Sequence, residues 1–405
     1  MIGFLQTAVS YVLPAFVVLT LVVTVHEFGH FLAARLCGVK VDRFSIGFGK
    51  AILSHTDRSG VDWRIGWLPL GGYVRFAGDE SSASVPDHED LKELRAEVVA
   101  REGPAALQQY FHFKPVWQRA FVVAAGPFAN FVLSTALFAI LLMWVGQSVA
   151  PMRVHAVQPG SAAERAGFLP NDVVREAGGK TIKNFGDFKQ YVALHADTPV
   201  TFLVDRAGRE VVLNATPVKR RAKDELGVVS EMGSLGVEYR PRREDLIRER
   251  LNPAEAVVGG AAMTWDVLST TVTYLGRMVR GEVSADQIGG PLRIGHTAGG
   301  VSNMAAEGGG DLGEKALAVS VALLGLAAVL SVGIGFMNLL PVPVLDGGHL
   351  LFYAYEAVAR RPVAAAVQDV GYRLGLALLL GLMLFATWND FQNLRVFQLL
   401  GGLVS

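Results

Sequence analysis

Between Tyr11 and Thr24 the chain carries no charged residue, and three further stretches share that habit: about Ala120 to Val145, Ala316 to Leu340 and Leu374 to Trp388. A helix needs about 20 mostly apolar residues to span a bilayer. The first run extends from about Val9 to Ala34 and stops at Arg35; the fourth is short but Leu-rich, with Tyr372-Arg373 and Trp388 suited to the two interfaces. Lipid offers no partner to backbone polar groups, so these runs point to an α-helical polytopic membrane protein with four transmembrane helices. Composition agrees, with 51% of the 405 residues hydrophobic and 18% charged, against about a quarter in soluble domains. The 37 basic and 37 acidic residues cancel, which gives no case for nucleic acid. Met1 to Thr7 has no positive n-region, so the first run is expected to be a retained helix and not a removable signal.

The end of the first run carries His26-Glu27-Phe28-Gly29-His30. Histidines at i and i+4 share one helix face, so both rings can reach one metal ion. Glu27 points to the adjoining side, where it can take a proton from a metal-bound water. This is the H-E-x-x-H arrangement of zinc peptidases. Three ionisable groups in an apolar helix are costly and signal function.

Charge in the short loops predicts orientation. Arg35, Lys40, Arg43 and Lys50 follow the first span, Lys114 and Arg119 precede the second, and Arg360, Arg361 and Arg373 lie between the third and fourth; the tails add little beyond Arg395. By the positive-inside rule these loops are cytoplasmic, with both termini and the long middle segment outside. His26 stands nine residues before Arg35, which sets the metal site roughly 14 Å in from the cytoplasmic helix end.

A catalytic zinc takes three protein ligands and leaves one position open. After the third run comes Asn338-Leu339-Leu340-Pro341-Val342-Pro343-Val344-Leu345-Asp346-Gly347-Gly348-His349, which two prolines and two glycines bar from regular helix. Irregular backbone at membrane depth belongs where it lines an enclosed or wet cavity. Asp346 and His349 are both placed to complete the site; Asp346 would neutralise more of the ion's charge. Cys37 is a poorer third choice, and as the one cysteine it excludes an intrachain disulfide.

These motifs, with Gly126-Pro127-Phe128-Ala129-Asn130 in the second run, resemble the bacterial site-2 protease family, the intramembrane zinc metalloproteases of the regulator-of-sigma-E type. The likeness covers nearly the whole chain. It implies that His26, His30 and Asp346 bind Zn2+, that Glu27 is the catalytic base, and that Asn338 helps to hold substrate. Asn130 is a candidate either to contact substrate or to brace the site, because an amide in a membrane helix seeks a partner in the bundle.

Segments 45–49 and 61–76 read as strands around glycine-rich turns, with Gly71 and Gly72 among them. Family members carry membrane-reentrant β-structure here, whose edge can pair with an unwound substrate. Asp79, Glu80 and Asp87 open a polar insertion that ends in a surface helix around Leu91-Leu94. From residue 154 to about residue 240 the chain resembles a bacterial PDZ domain: Ser161 caps a short helix, Asn171-Asp172 turns, a second helix covers Asp187 to Leu194, strands lie at 201–204 and 210–215, and Leu235-Gly236 sits in the carboxylate-binding loop. Sigma-E-type relatives have two such domains in tandem; this chain has room for one. Leu251 to Arg280 shows an amphipathic helical pattern, and Gly289-Gly290 then turns toward the third span.

The expected division is a first membrane helix (1–36), a cytoplasmic and reentrant β loop with polar insertion (37–117), a second membrane helix (118–147), one inserted periplasmic α+β PDZ domain (150–240), a periplasmic amphipathic helix and linker (250–315), a third membrane helix (316–345), a cytoplasmic loop (346–373), a fourth membrane helix (374–390) and a tail (391–405). The function implied is intramembrane proteolysis in the bacterial inner membrane, by a monomer. Its substrates would be transmembrane segments of single-pass proteins, such as anti-sigma-factor-like regulators or remnant signal peptides. Two rivals are a metal-ion transporter, disfavoured because the ionisable groups form one cluster, and an inactive scaffold, disfavoured by the intact Glu27.

Overall fold

Each of the four apolar runs is a helix in the computed structural model, which describes residues 2–78, 88–149, 151–223, 229–240, 247–282, 290–307 and 311–393. Asp79, Glu80, Asp87, Gly289, Arg395 and most of the tail lie outside the described residues. In chain order come α1 (Ile2–Leu36), the strands β1 (Val41–Thr56) and β2 (Asp62–Phe76), α2 (His88–Glu102) and α3 (Val116–Trp144). Short elements come next: β3 (Gln147–Val149), β4 (Ala156–Val157), α4 (Ala162–Arg165), β5 (Val173–Ala177), β6 (Lys180–Thr181), α5 (Phe185–Leu194), β7 (Val200–Arg206), β8 (Arg209–Ala215), β9 (Val218–Lys223), β10 (Val229–Ser234), β11 (Val237–Glu238) and β12 (Ile247–Glu249). The remainder is helical: α6 (Pro253–Val279), α7 (Pro291–Glu307), α8 (Leu312–Asn338), α9 (Asp346–Ala359) and α10 (Ala365–Asn393). Among the described residues, the helices long and apolar enough to cross a membrane are Val12–Leu36, Val116–Trp144, Leu312–Asn338 and Ala365–Gln392.

Two units divide the chain. The first comprises Met1–Ala139, Val257–Ser269 and Gly290–Thr387. In it α1 packs against β2, α7 and α8. Gly29 lets α1 approach α3 closely, because a Cβ there would strike the Ala125 carbonyl and, at 2.7 Å, the Ala129 side chain. Gly335 does the same between α8 and α3, where a Cβ would come within 3.0 Å of the Pro127 carbonyl and 3.1 Å of Asn130 Cβ. Below these crossings an aromatic cluster of Phe31, Phe44 and Trp63 joins α1 to the β1–β2 hairpin. Both strands are longer than those expected from the sequence and fold into four paired segments: residues 43–46 lie between 72–75 and 62–65, and 51–56 pair with the far side of 62–66.

The third and fourth helices also differ from expectation. The third begins at Leu312 and not near 316, and it ends at Asn338, where Pro341 and Pro343 break regular helix as expected. The fourth begins at Ala365 and not near 374; its first turns are polar, and Asp369 pairs with Arg373 at 2.8 Å one turn on. Residues 291–307, expected as linker, form α7 against α1 and α8. Gly295, Gly299 and Gly300 weaken the helical signal there.

The second unit comprises Ile140–Ala256, Thr270–Gly289 and Trp388–Ser405. Its centre is an antiparallel sheet in the order β6-β5-β7-β8, with a core that includes Met152, Phe168, Phe188, Phe202, Val204 and Leu213. Ala207 and Gly208, both at positive φ, make the two-residue turn between β7 and β8. Ser161 caps α4 by accepting from Glu164 N at 3.2 Å, and Asn171 adopts the left-handed conformation at φ 75°.

Candidate active site

His26 and His30 lie one turn apart on α1, 6% and 8% exposed, with their rings edge to face. Their Nε2 atoms are 3.2 Å apart. Asp346 Oδ2 lies 3.1 Å from the first and 3.4 Å from the second. That oxygen is buried yet accepts no aligned hydrogen bond. Three lone-pair atoms so close together repel one another unless a cation or a proton sits among them. Their separations match the edge of about 3.3 Å expected between ligands on a tetrahedral zinc with N and O donors. The donor set fits the metal.

Local sequence explains how each group arrives. Asp346 begins α9, and the two glycines after it let that helix fold back on the preceding turn. A Cβ at Gly347 would strike the carbonyls of Leu339 and Leu340, and one at Gly348 would strike Pro343 and the Val342 carbonyl. His30 Nδ1 donates to the Val122 carbonyl at 2.9 Å, which fixes the proton on that nitrogen and leaves Nε2 free to ligate. In the same turn of α3, Gly126 makes room for the ring, since a Cβ there would collide with the His30 imidazole. Gly126 is thus a close contact between α3 and α1, made against the His30 ring.

Glu27 Oε2 accepts from Val74 N of β2 at 3.1 Å. A Cβ added at Gly72 would meet Glu27 Cγ at 3.7 Å, and one added at Gly71, at φ 96°, would meet Val23 at 3.3 Å. Glu27, both histidines, Asp346, Asn338 and Gly72 line one cavity of about 490 Å3, which continues past Phe48, Val74 and Val344 toward Arg119, Tyr353 and Glu356. Arg119 closes that side by pairing with Glu356 at 2.7 Å while stacking on Tyr353.

The other candidates fall elsewhere. His349 borders the cavity but its Nε2 meets Tyr372 OH at 2.7 Å, apart from the three-donor cluster. Cys37 packs against the aromatic cluster. Asn130 is fully buried behind His26, with Nδ2 3.2 Å from His26 Nδ1, so it is closed to direct contact with substrate. Leu235 gives its side chain to the core of the second unit and its carbonyl to Ala163 N, leaving little but backbone for a ligand; the Gly236 carbonyl accepts from Gln158 N.

Comparison with known proteins supplies the class. The profile of peptidase family M50 matches residues 14–382. The chain belongs to that family. It is 49% identical over 403 residues to the metalloprotease MmpA of Caulobacter vibrioides, covering all of both chains. A protein of Agrobacterium fabrum that carries the name of a zinc metalloprotease is 40% identical over 97% of each chain. The regulator of sigma-E protease RseP of Salmonella typhimurium is 31% identical, over 94% of this chain and 98% of its own. That last alignment is longer than the present chain, so the relative carries segments absent here. The protein is therefore a zinc metalloprotease of the site-2 protease family.

Proposed function

We propose that this protein is an intramembrane endopeptidase of the bacterial inner membrane that cuts transmembrane segments of single-pass proteins, with His26, His30 and Asp346 holding Zn2+ and Glu27 as catalytic base. The observation that carries this is the convergence of three buried donors within 3.4 Å, beside Glu27, in a helix long and apolar enough to span a bilayer. Bound there, zinc would supply Lewis acidity toward a peptide carbonyl and toward the attacking water. The side chains do the rest. Val74 N–H holds one oxygen of Glu27, leaving the other to the cavity to take the water's proton and pass it to the leaving amine nitrogen. Asn338 lines the cavity, and in this reading its amide holds the substrate backbone.

A helical substrate hides its peptide bonds and must be drawn out before it can be cut. The β1–β2 hairpin is suited to that. It runs beside α1, tied by Val74 N to Glu27 and by Thr20 Oγ1 to the Pro69 carbonyl, a stretch of helix roughly 10 Å long. Ile52, Leu53 and Trp67 on it are more than 60% exposed, which favours a reentrant position in lipid. An extended substrate would add to its edge near Gly71 and Gly72.

The sheet, α4, α5 and the Leu235-Gly236 loop support the reading of the second unit as a single PDZ domain; in this proposal it is periplasmic, admits trimmed substrates and acts in a monomer. With cytoplasmic positive loops, both termini lie outside and the site lies toward the cytoplasm. RseP is by name a regulator of sigma-E, so anti-sigma-factor-like proteins are the first substrates to try, with remnant signal peptides next. Purified protein in detergent, mixed with a model transmembrane substrate, tests the reading. The wild type should cleave and contain zinc, and Glu27→Gln should contain zinc without cleaving. Cleavage by Glu27→Gln at the wild-type rate overturns it.

A further inference from the structure

The two ligand imidazoles are held from behind by different groups. His30 Nδ1 faces a carbonyl, which can only accept, so its proton sits on Nδ1 and Nε2 keeps its lone pair. His26 Nδ1 faces the side-chain amide of Asn130, which can either donate or accept. With Nδ2 toward the ring at 3.2 Å, the ring nitrogen must accept, and the proton moves to Nε2, the atom that points at Asp346 and His30. In that arrangement Asn130 Oδ1 is buried without a hydrogen-bond partner. Turning the amide by half a revolution about its last bond preserves its shape and brings Oδ1 to Nδ1. No donor among the described residues reaches Oδ1, so hydrogen bonding on that side does not choose the orientation. The imidazole does.

We infer that Asn130 is a positioning residue for the zinc site: its amide oxygen accepts His26 Nδ1–H and holds that ring in the tautomer that presents Nε2 to the metal. This rests on the assignment of His26 as a ligand. Burial and two contacts with α8 keep the amide where it is needed. Asn130 is 0% exposed, its backbone carbonyl accepts from Ser331 Oγ of α8 at 2.8 Å, and Gly335 lets α8 close over it. The third helix thus locks a residue of the second behind a ligand of the first. Groups that orient a ligand imidazole typically carry about 10- to 100-fold in metal affinity.

The test compares Asn130→Asp, which keeps only acceptors, with Asn130→Leu, which has none at similar size. Zinc affinity is measured by chelator competition on the full-length protein in detergent, and unfolding is followed in parallel. Asn130→Asp should bind zinc at least as tightly as the wild type, and Asn130→Leu about 10- to 100-fold more weakly. In cobalt-substituted wild type and Asn130→Asp, both metal-shifted ring N–H protons should exchange slowly with solvent, and in Asn130→Leu the His26 Nδ1–H resonance should shift and exchange faster, having lost its acceptor. If Asn130→Leu does not fold, Asn130→Ala takes its place. Equal zinc affinity in the acceptor and non-acceptor variants, or equal loss in both, overturns the inference. A wild type that binds no zinc overturns the ligand assignment itself, which is a separate result.

Discussion

Asp172 and Asp346 are both withdrawn from solvent, one in each unit, and their surroundings are opposite. Asp172 is 1% exposed and fully engaged: Arg206 donates to its two oxygens, at 2.8 Å each, and Leu169 N adds a third bond at 2.9 Å. Asp346 keeps 18% of its side chain exposed to a cavity, and its inner oxygen faces two imidazole nitrogens with no hydrogen bond of its own. A fold under selection for stability alone satisfies its buried carboxylates. The open valence at Asp346, beside the closed set at Asp172, is what the proposed role of Asp346 as a zinc ligand rests on.

Substitutions can break that comparison. The largest effect is expected from Glu27→Gln, which removes the proton acceptor beside Asp346. Cleavage of a model transmembrane substrate should fall about 10^3-fold with zinc content unchanged. Asp346→Asn should weaken zinc by more than about 100-fold, read by chelator competition, with little change in thermal unfolding. If it instead destabilises the protein while zinc is retained, Asp346 is structural and the contrast fails. Asp172→Asn should do the reverse. It should cost roughly 2 kcal/mol, at the low side for a broken buried pair because Arg206 is partly exposed, and should show as faster proteolysis within residues 151–240 with zinc affinity intact.

Two glycines sharpen the same point at smaller scale. Gly126→Ala pushes a methyl group into the His30 ring, so zinc affinity should drop about tenfold and activity with it. At Gly295, in α7, a new Cβ meets nothing within 4 Å. There the alanine variant should be active and slightly more stable, by about 0.5–1 kcal/mol in thermal or denaturant unfolding. Equal behaviour of the two variants would remove the role assigned to Gly126.

Much of this was readable along the chain, for physical reasons that differ by element. The spans announce themselves because lipid demands uninterrupted apolar length, and His26, Glu27 and His30 because one helical turn sets their spacing. What went unread depends on contacts between segments distant in sequence. The role of Gly126 becomes visible only when α3 crosses α1 beside His30. The helix at 291–307 is hidden by its glycines and exists through its packing on α1 and α8. The polar start of α10 reads as a break because hydropathy reports burial in lipid, whereas the helix continues on its own hydrogen bonds.

The choice of the third donor shows the division most clearly. The residues alone leave Asp346 and His349 both open, three positions apart on a segment that cannot be regular helix. The turn after Asn338 and the two glycines that let α9 fold back send the carboxylate toward His26 and His30, and send the imidazole toward Tyr372. Asn130 went the same way: its sequence marks a membrane amide in need of a partner, and the packing of α3 between α1 and α8 decides that the partner is His26. By itself the sequence determined the apolar runs long enough to span a membrane and the two-histidine face, because these depend on composition and on local period. Which distant groups complete the cluster, and which face each imidazole from behind, was decided by helix crossings that glycines permit, since ligation depends on distances between side chains that are far apart in the chain.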